Sequence, residues 1–139
     1  MSSFKNIVAT IEARMTSSRL PGKVLMEVAG KPVLAHMVER LQLVPSLNGI
    51  VIATTMNATD NPVDELAKEL GVGCFRGSEE DVLDRVLRAA QLYEIDLIVE
   101  TTGDCPLIDP EIVELCIQGY LHSDDDYVSN VLNRTYPIG

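Results

Sequence analysis

Residues 13–26, A-R-M-T-S-S-R-L-P-G-K-V-L-M, place Arg14, Arg19 and Lys23 in one short stretch with no acidic side chain among them. The whole chain carries 21 Asp and Glu against 11 Lys and Arg, a formal net charge of −10. In that negative field an anion stays only where local cations hold it, so the stretch reads as an anion site. Guanidinium groups can grip phosphate oxygens in pairs, and an ammonium adds a point charge. Thr16, Ser17 and Ser18 offer hydroxyls, Gly22 lets backbone N–H groups approach closely, and Pro21 stiffens the loop. The plainer alternative is a solvated basic turn.

Two further stretches have chemical potential. Arg76-Gly77-Ser78 and Thr102-Gly103-Asp104 each follow a short apolar run. A carboxylate at Asp104 facing the three cations would hold Mg2+ against phosphate oxygens; its competing role is an Asx turn that stabilises its own loop. His36 and His122 read as packed or helix-end histidines. Cys105 has no evident histidine partner and reads as a small buried thiol. The acidic triple at 124–126 reads as a solvated turn. No G-x-G-x-x-G follows the first apolar run, and no G-x-x-x-x-G-K-[ST] occurs, which removes the dinucleotide fingerprint and the P-loop.

The elements that must position these residues alternate. Strands are predicted at 7–12, 50–53, 72–76, 97–101 and 127–131, with near-continuous apolar runs typical of strands covered on both faces. Between them, helices follow from apolar spacing. Leu34, Met37, Val38 and Leu41 form one face after Pro32, which opens the helix. Val63, Leu66, Ala67 and Leu70 form another, capped by Asp60 or Asn61. Ser78 and Asp81 resemble a capping box for a helix over 79–92 with Leu83, Val86, Leu87 and Ala90 inward. Asp109 and Pro110 start the last helix, with Val113, Cys116, Ile117 and Tyr120 on its face. This rhythm predicts an α/β fold, three layers (α/β/α) around a mostly parallel sheet. On such a sheet ligands bind beyond the C-terminal strand ends, where all three candidate loops fall.

Length and composition set the bounds. The 139 residues are 46% hydrophobic and 23% charged, enough for one domain with a real core. Strong acidity argues against a nucleic-acid surface. No apolar run nears a membrane span, and the first residues lack a secretory pattern. Three widely spaced cysteines fit a reducing, cytoplasmic setting.

With these residues in place, the chain resembles the cytidylyltransferases that make CMP-activated acidic sugars, among them the 3-deoxy-manno-octulosonate and acylneuraminate enzymes. A-R-M-T-S-S-R-L-P-G-K-V-L is similar to their signature loop. The nearer likeness is to the SpsF-like branch of spore coat polysaccharide biosynthesis, through R-G-S-E-E-D-V-L-D-R at 76–85, T-G-D-C-P-L-I-D-P at 102–110 and D-Y-V-S-N at 126–130. The resemblance implies a nucleotide-diphospho-sugar transferase fold. Residues 1–139 would be its nucleotide-binding, N-terminal part, truncated at the C-terminus. It implies transfer of a nucleotidyl group from CTP to a sugar acceptor, with release of pyrophosphate. Arg14, Arg19 and Lys23 would hold the triphosphate, with Arg14 and Lys23 serving catalysis. The Ala13 backbone, Ser78 and Thr102 would lie near the base or ribose, Asp104 would bind Mg2+, and Asn130 would face the sugar. Thr102 departs from the Gln of the sialate and octulosonate enzymes, which leaves base recognition there open. A second metal-binding Asp, sugar contacts and homodimer contacts belong to later parts of those chains. A non-catalytic nucleotide-binding module and a glycosyltransferase of related fold remain as alternatives.

Overall fold

The computed structural model describes residues 3–137. Four parallel strands form the main sheet: β1 (Ile7–Glu12), β4 (Gly49–Thr55), β5 (Gly73–Gly77) and β6 (Leu97–Thr102), in spatial order β5-β4-β1-β6. A small antiparallel hairpin, β2 (Glu27–Val28) with β3 (Lys31–Pro32), turns through Ala29 and Gly30. The helices are α1 (Val33–Leu41), α2 (Asn61–Leu70), α3 (Val82–Leu92) and α4 (Pro110–Leu121). None of the described helices is long and apolar enough to cross a membrane.

Side-chain alternation along β1 divides the interior. Ile7, Ala9, Ile11 and Ala13 share a core with Leu34, Met37, Val38 and Leu41 of α1, Val63 and Ala67 of α2, and Val113 and Ile117 of α4. On the opposite face Val8 and Val51 meet Ala89 of α3, with Phe75, Tyr93 and Ile95 around them. Three layers result, with α1, α2 and α4 on one side of the sheet and α3 on the other. β1 lies centrally, with β4 on one side and β6 on the other. Chain order runs outward from β1 through β4 to β5 and then returns to β6. The reversal therefore falls between β1 and β6, where an open parallel sheet leaves a crevice beyond its strand ends.

The α1 face is buried as its spacing predicts, although Pro32 is the residue before the helix rather than its first. Three expectations need correction. The third helix starts at Val82, not 79, because the Asp81 carboxylate caps it by accepting the Asp84 N–H. Its inward face is also rotated: Arg85, Val86, Ala89 and Ala90 are buried, while Leu83 is 80% exposed and Leu87 half-exposed. Close approach selects the small residues, since the sheet beneath offers Gly73 packed against the Tyr93 ring, whose hydroxyl bonds both backbone groups of Cys74. Finally, residues 127–131 form no strand; an apolar pair, Tyr127-Val128, opens the segment, but no ladder pairs it, and Tyr127 is 76% exposed.

These burials set a contrast. Leu34→Ala should destabilise the protein by roughly 2–5 kcal/mol in urea unfolding, whereas Leu83→Ala should stay within about 0.5 kcal/mol. A large loss at Leu83 would mean that the helix faces the sheet the other way.

Candidate functional site

The basic loop is anchored at both ends. Where β1 runs out, the Ala13 N–H bonds the Ala53 carbonyl at 3.2 Å. The Met15 N–H then donates to Asp60 Oδ1 at 2.7 Å, and the other oxygen of Asp60 accepts the Thr55 hydroxyl. Asp60 is fully buried. It stands at the start of α2 without capping it, because its carboxylate turns away to hold the basic loop. Asn61 does not cap either; its Oδ1 accepts from Arg76. At the far end Gly22, at φ +74°, donates to the Met15 carbonyl at 2.8 Å and opens a single 3-10 turn, Lys23–Leu25. Val24 in that turn is buried in the larger core, which fixes where Lys23 begins.

Lys23 meets Asp104 across the reversal point, Nζ to Oδ2 at 2.8 Å. The loop after β6 is brought there by its backbone. The Gly103 N–H donates to the Glu12 carbonyl at 2.8 Å, and a Cβ at Gly103 would lie 2.9 Å from that same oxygen. A side chain at 103 would push the two loops apart. The Lys23 ammonium holds the Asp104 carboxyl below the ordinary range, against an opposing contribution from burial. Among the described residues no group of three or more His, Cys, Asp or Glu gathers to hold a metal. A single carboxylate still fits Mg2+, which binds through one or two carboxylates and fills its remaining positions with phosphate oxygens and water.

The other half of the rim is built by Glu79. Its carboxylate accepts from Thr16 Oγ1 at 2.7 Å and Asn57 Nδ2 at 2.5 Å, and Arg14 lies 3.5 Å away. These contacts, that of Thr16 first, lower its pKa. Loops after β1, β4 and β5 are thus tied together. The Arg76 guanidinium serves the scaffold: it bonds the carbonyls of Thr55 and Asn57 and the side chain of Asn61, clamping the loop after β4. The Ser78 hydroxyl accepts the Asp81 N–H, and its carbonyl accepts from Arg85. Thr102 Oγ1 lies 3.5 Å from Cys105 Sγ. Ala13 is buried with its N–H committed to the sheet. Arg19 is exposed and forms no ion pair among the described residues, and Asn130 lies in the exposed irregular segment after α4 with no hydrogen bond to the rim. The histidines bond local carbonyls, His36 that of Val28 and His122 that of Gln118.

Below the rim, on the α3 side, Glu12 and Glu100 lie on neighbouring strands, and Arg85, which is 2% exposed, lies near enough to Glu12 to act on its charge. Burial, reinforced by Glu100, pushes the Glu12 carboxyl up to about 7, and Arg85 opposes the rise. Glu12, Asp60, Asn57 and Glu79 carry much of the arrangement, yet the sequence gives no separate signal for Glu12 or Asn57. Asp60 looks like a cap, and Glu79 like a first-turn acid favoured by the helix dipole.

Comparison with known proteins supplies an independent frame. Residues 8–136 match the family model described as "Cytidylyltransferase". An uncharacterised protein of Methanocaldococcus jannaschii is 42% identical over 123 residues, covering 88% of this chain and 51% of that protein. The spore coat polysaccharide biosynthesis protein SpsF of Bacillus subtilis is 36% identical over 138 residues, 96% of this chain and 56% of its own. Among solved structures, a CMP:2-keto-3-deoxy-manno-octonic acid synthetase complexed with CTP superimposes with a TM-score of 0.74 at 33% identity, over 84% of this chain and 48% of that one. The chain spans about half the length of the curated relatives it matches.

Two outcomes follow from the anchoring and the buried acid. Asp60→Ala should cost about 1–3 kcal/mol, because the Met15 N–H loses its acceptor, and amide exchange at Met15 should accelerate. The raised pKa of Glu12 favours the protonated carboxyl in the folded state. Its contribution is therefore complete below the ordinary value of 4.5 and is lost as pH rises through about 7. Glu12→Gln should remove that loss, gaining on the order of 1–2 kcal/mol over wild type at pH 8, a figure discounted for the solvent reaching the group. Parallel stability–pH curves for the two proteins between pH 4.5 and 8 would refute it.

Proposed function

The chain belongs to the cytidylyltransferase family, and from that premise we propose that its rim binds CTP with Mg2+ and serves transfer of the cytidylyl group to an acidic or related sugar. Pyrophosphate would leave. One observation carries this reading: Lys23 and Asp104, from loops 81 residues apart, meet at 2.8 Å at the strand-order reversal. Arg14 and Thr16 stand on the same loop, so cations and hydroxyl donors line one crevice. The relatives' names support the sugar class: one is a spore coat polysaccharide biosynthesis protein, others are 3-deoxy-manno-octulosonate cytidylyltransferases. The reaction would run in the cytoplasm, its product would feed surface polysaccharide biosynthesis, and the active enzyme would be a homodimer.

The chemistry asks this chain mainly to position and to neutralise. An acceptor oxygen of the sugar attacks the α-phosphorus in line, and the bond to the bridging oxygen of pyrophosphate breaks. Lys23 and Arg14 hold the phosphate oxygens and offset the charge that gathers on the departing pyrophosphate. Arg19 extends the same hold from the exposed side of the loop. Asp104 would hold Mg2+, which when bound neutralises phosphate charge and orients the phosphate chain. Ala13, Ser78 and Thr102 lie on the stretches that border the nucleoside, and Asn130 would turn to the sugar. No side chain on the rim is needed as a covalent nucleophile, as in phosphoryl transfer generally.

Titration calorimetry tests the proposal. CTP with Mg2+ should bind the wild-type chain, and Lys23→Ala and Asp104→Ala should each weaken binding by roughly 10- to 100-fold, the range of one lost charge-assisted contact. Chelating Mg2+ should weaken wild type and leave Asp104→Ala nearly unchanged. Equal affinity in all three proteins would exclude this site.

A further inference from the structure

Three side-chain donors from two loops converge on one carboxylate. Thr16 and Arg14, after β1, both approach Glu79 Oε1, at 2.7 and 3.5 Å, and Asn57, after β4, approaches Oε2 at 2.5 Å. Two of these donors belong to the basic loop and are of the kind a phosphate oxygen takes: a hydroxyl and a guanidinium. We infer that Glu79 is the resident counter-anion of that loop, and that a phosphate-bearing ligand binds by displacing it. The inference rests on the reading of residues 13–26 as a phosphate loop and adds to it a residue that opposes binding.

The geometry distinguishes Glu79 from Asp104. Asp104 faces Lys23 and has a role once phosphate arrives, as the carboxylate able to share a cation with it. Glu79 has no such role, because Arg14 and Thr16 cannot satisfy it and a phosphate oxygen together. Two anions competing for one guanidinium also repel each other. Release is easy. The Glu79 side chain is about one-third exposed, lies outside α3 in the segment between β5 and the Asp81 cap, and can turn into water without unmaking the helix. While the site is empty, the same carboxylate keeps Arg14 and Thr16 ordered and joins the loops after β1, β4 and β5.

Glu79→Gln keeps the size and one acceptor oxygen, enough for Thr16 or Asn57 but not both ends, and removes the charge. Glu80→Gln makes the same change in net charge at an exposed neighbour with no side-chain hydrogen bond among the described residues. Calorimetry with CTP and, separately, with inorganic tripolyphosphate, both with Mg2+, reads the difference. Glu79→Gln should tighten both by about two- to five-fold, the scale of an exposed ion pair. Glu80→Gln should change neither, and the gain should shrink as salt rises from 50 to about 500 mM. Unchanged or weaker binding in Glu79→Gln, an equal gain in Glu80→Gln, or no binding of tripolyphosphate by any of the proteins would overturn the inference. The proposed cytidylyl chemistry fails separately: if tripolyphosphate binds as predicted and CTP binds no better than other nucleotides, the counter-anion stands and the CTP assignment falls.

Discussion

The rim depends on a backbone contact between two strand ends. The Gly103 N–H reaches the Glu12 carbonyl just past the point where β1 and β6 stop pairing. This extends the ladder by one bond and brings the loops after β1 and β6 within side-chain reach. Only a residue without a Cβ allows it, because an added carbon would sit 2.9 Å from that oxygen and 3.0 Å from Ala13 Cβ. The 3-10 turn then supplies the second fixed point. Val24 anchors in the core, so Lys23, its neighbour, is held at the crevice. The Lys23–Asp104 pair results from these two placements and does not cause them. An ion pair exposed to this degree contributes at most about 1 kcal/mol, too little to organise two loops on its own.

That weakness suits a binding site. Lys23 and Arg14 are each paired with a carboxylate, so the empty rim is locally close to neutral within an acidic protein. Charge-assisted bonds to a desolvated phosphate are worth about 1.5–3 kcal/mol each, more than an exposed pair returns. A polyphosphate therefore gains over the internal partners, and the cations need not be assembled when it arrives. The order is maintained from below by Asp60 and Arg76, which are committed to the scaffold: one carries the Met15 N–H, the other clamps two carbonyls and a side-chain amide.

The sequence made legible whatever depends on local pattern. Apolar runs placed four of the five strands, and spacing placed the buried face of α1. The cations and Asp104 stood out because charge type and strand-end position can both be read along the chain. What escaped is what topology decides. Asp60 has the sequence of a helix cap, yet it serves a loop 45 residues earlier. For α3, a 3.6-residue period allows two overlapping apolar stripes, and the choice fell to the one with alanines because β5 lies close beneath. The segment opened by Tyr127-Val128 lacked a partner edge, and a strand exists only as part of a ladder.

Arg85 is the deeper counterpart of the rim cations and works by a different balance. At 2% exposure its guanidinium has given up water, and one amino group recovers a bond to the Ser78 carbonyl while Nε has no hydrogen-bond partner among the described residues. Such a buried charge is stabilised only by opposite charge nearby, and Glu12, Asp60 and Glu79 provide it. The consequence runs upward. Arg85 fixes Ser78, Ser78 fixes the start of the α3 turn through Asp81, and Glu79 stands between them on that fixed segment. The polar row under the sheet's α3 face therefore sets the position from which Glu79 reaches Thr16 and Arg14. A change that neutralised Arg85 would act on the phosphate loop without touching it, through two backbone contacts and one carboxylate.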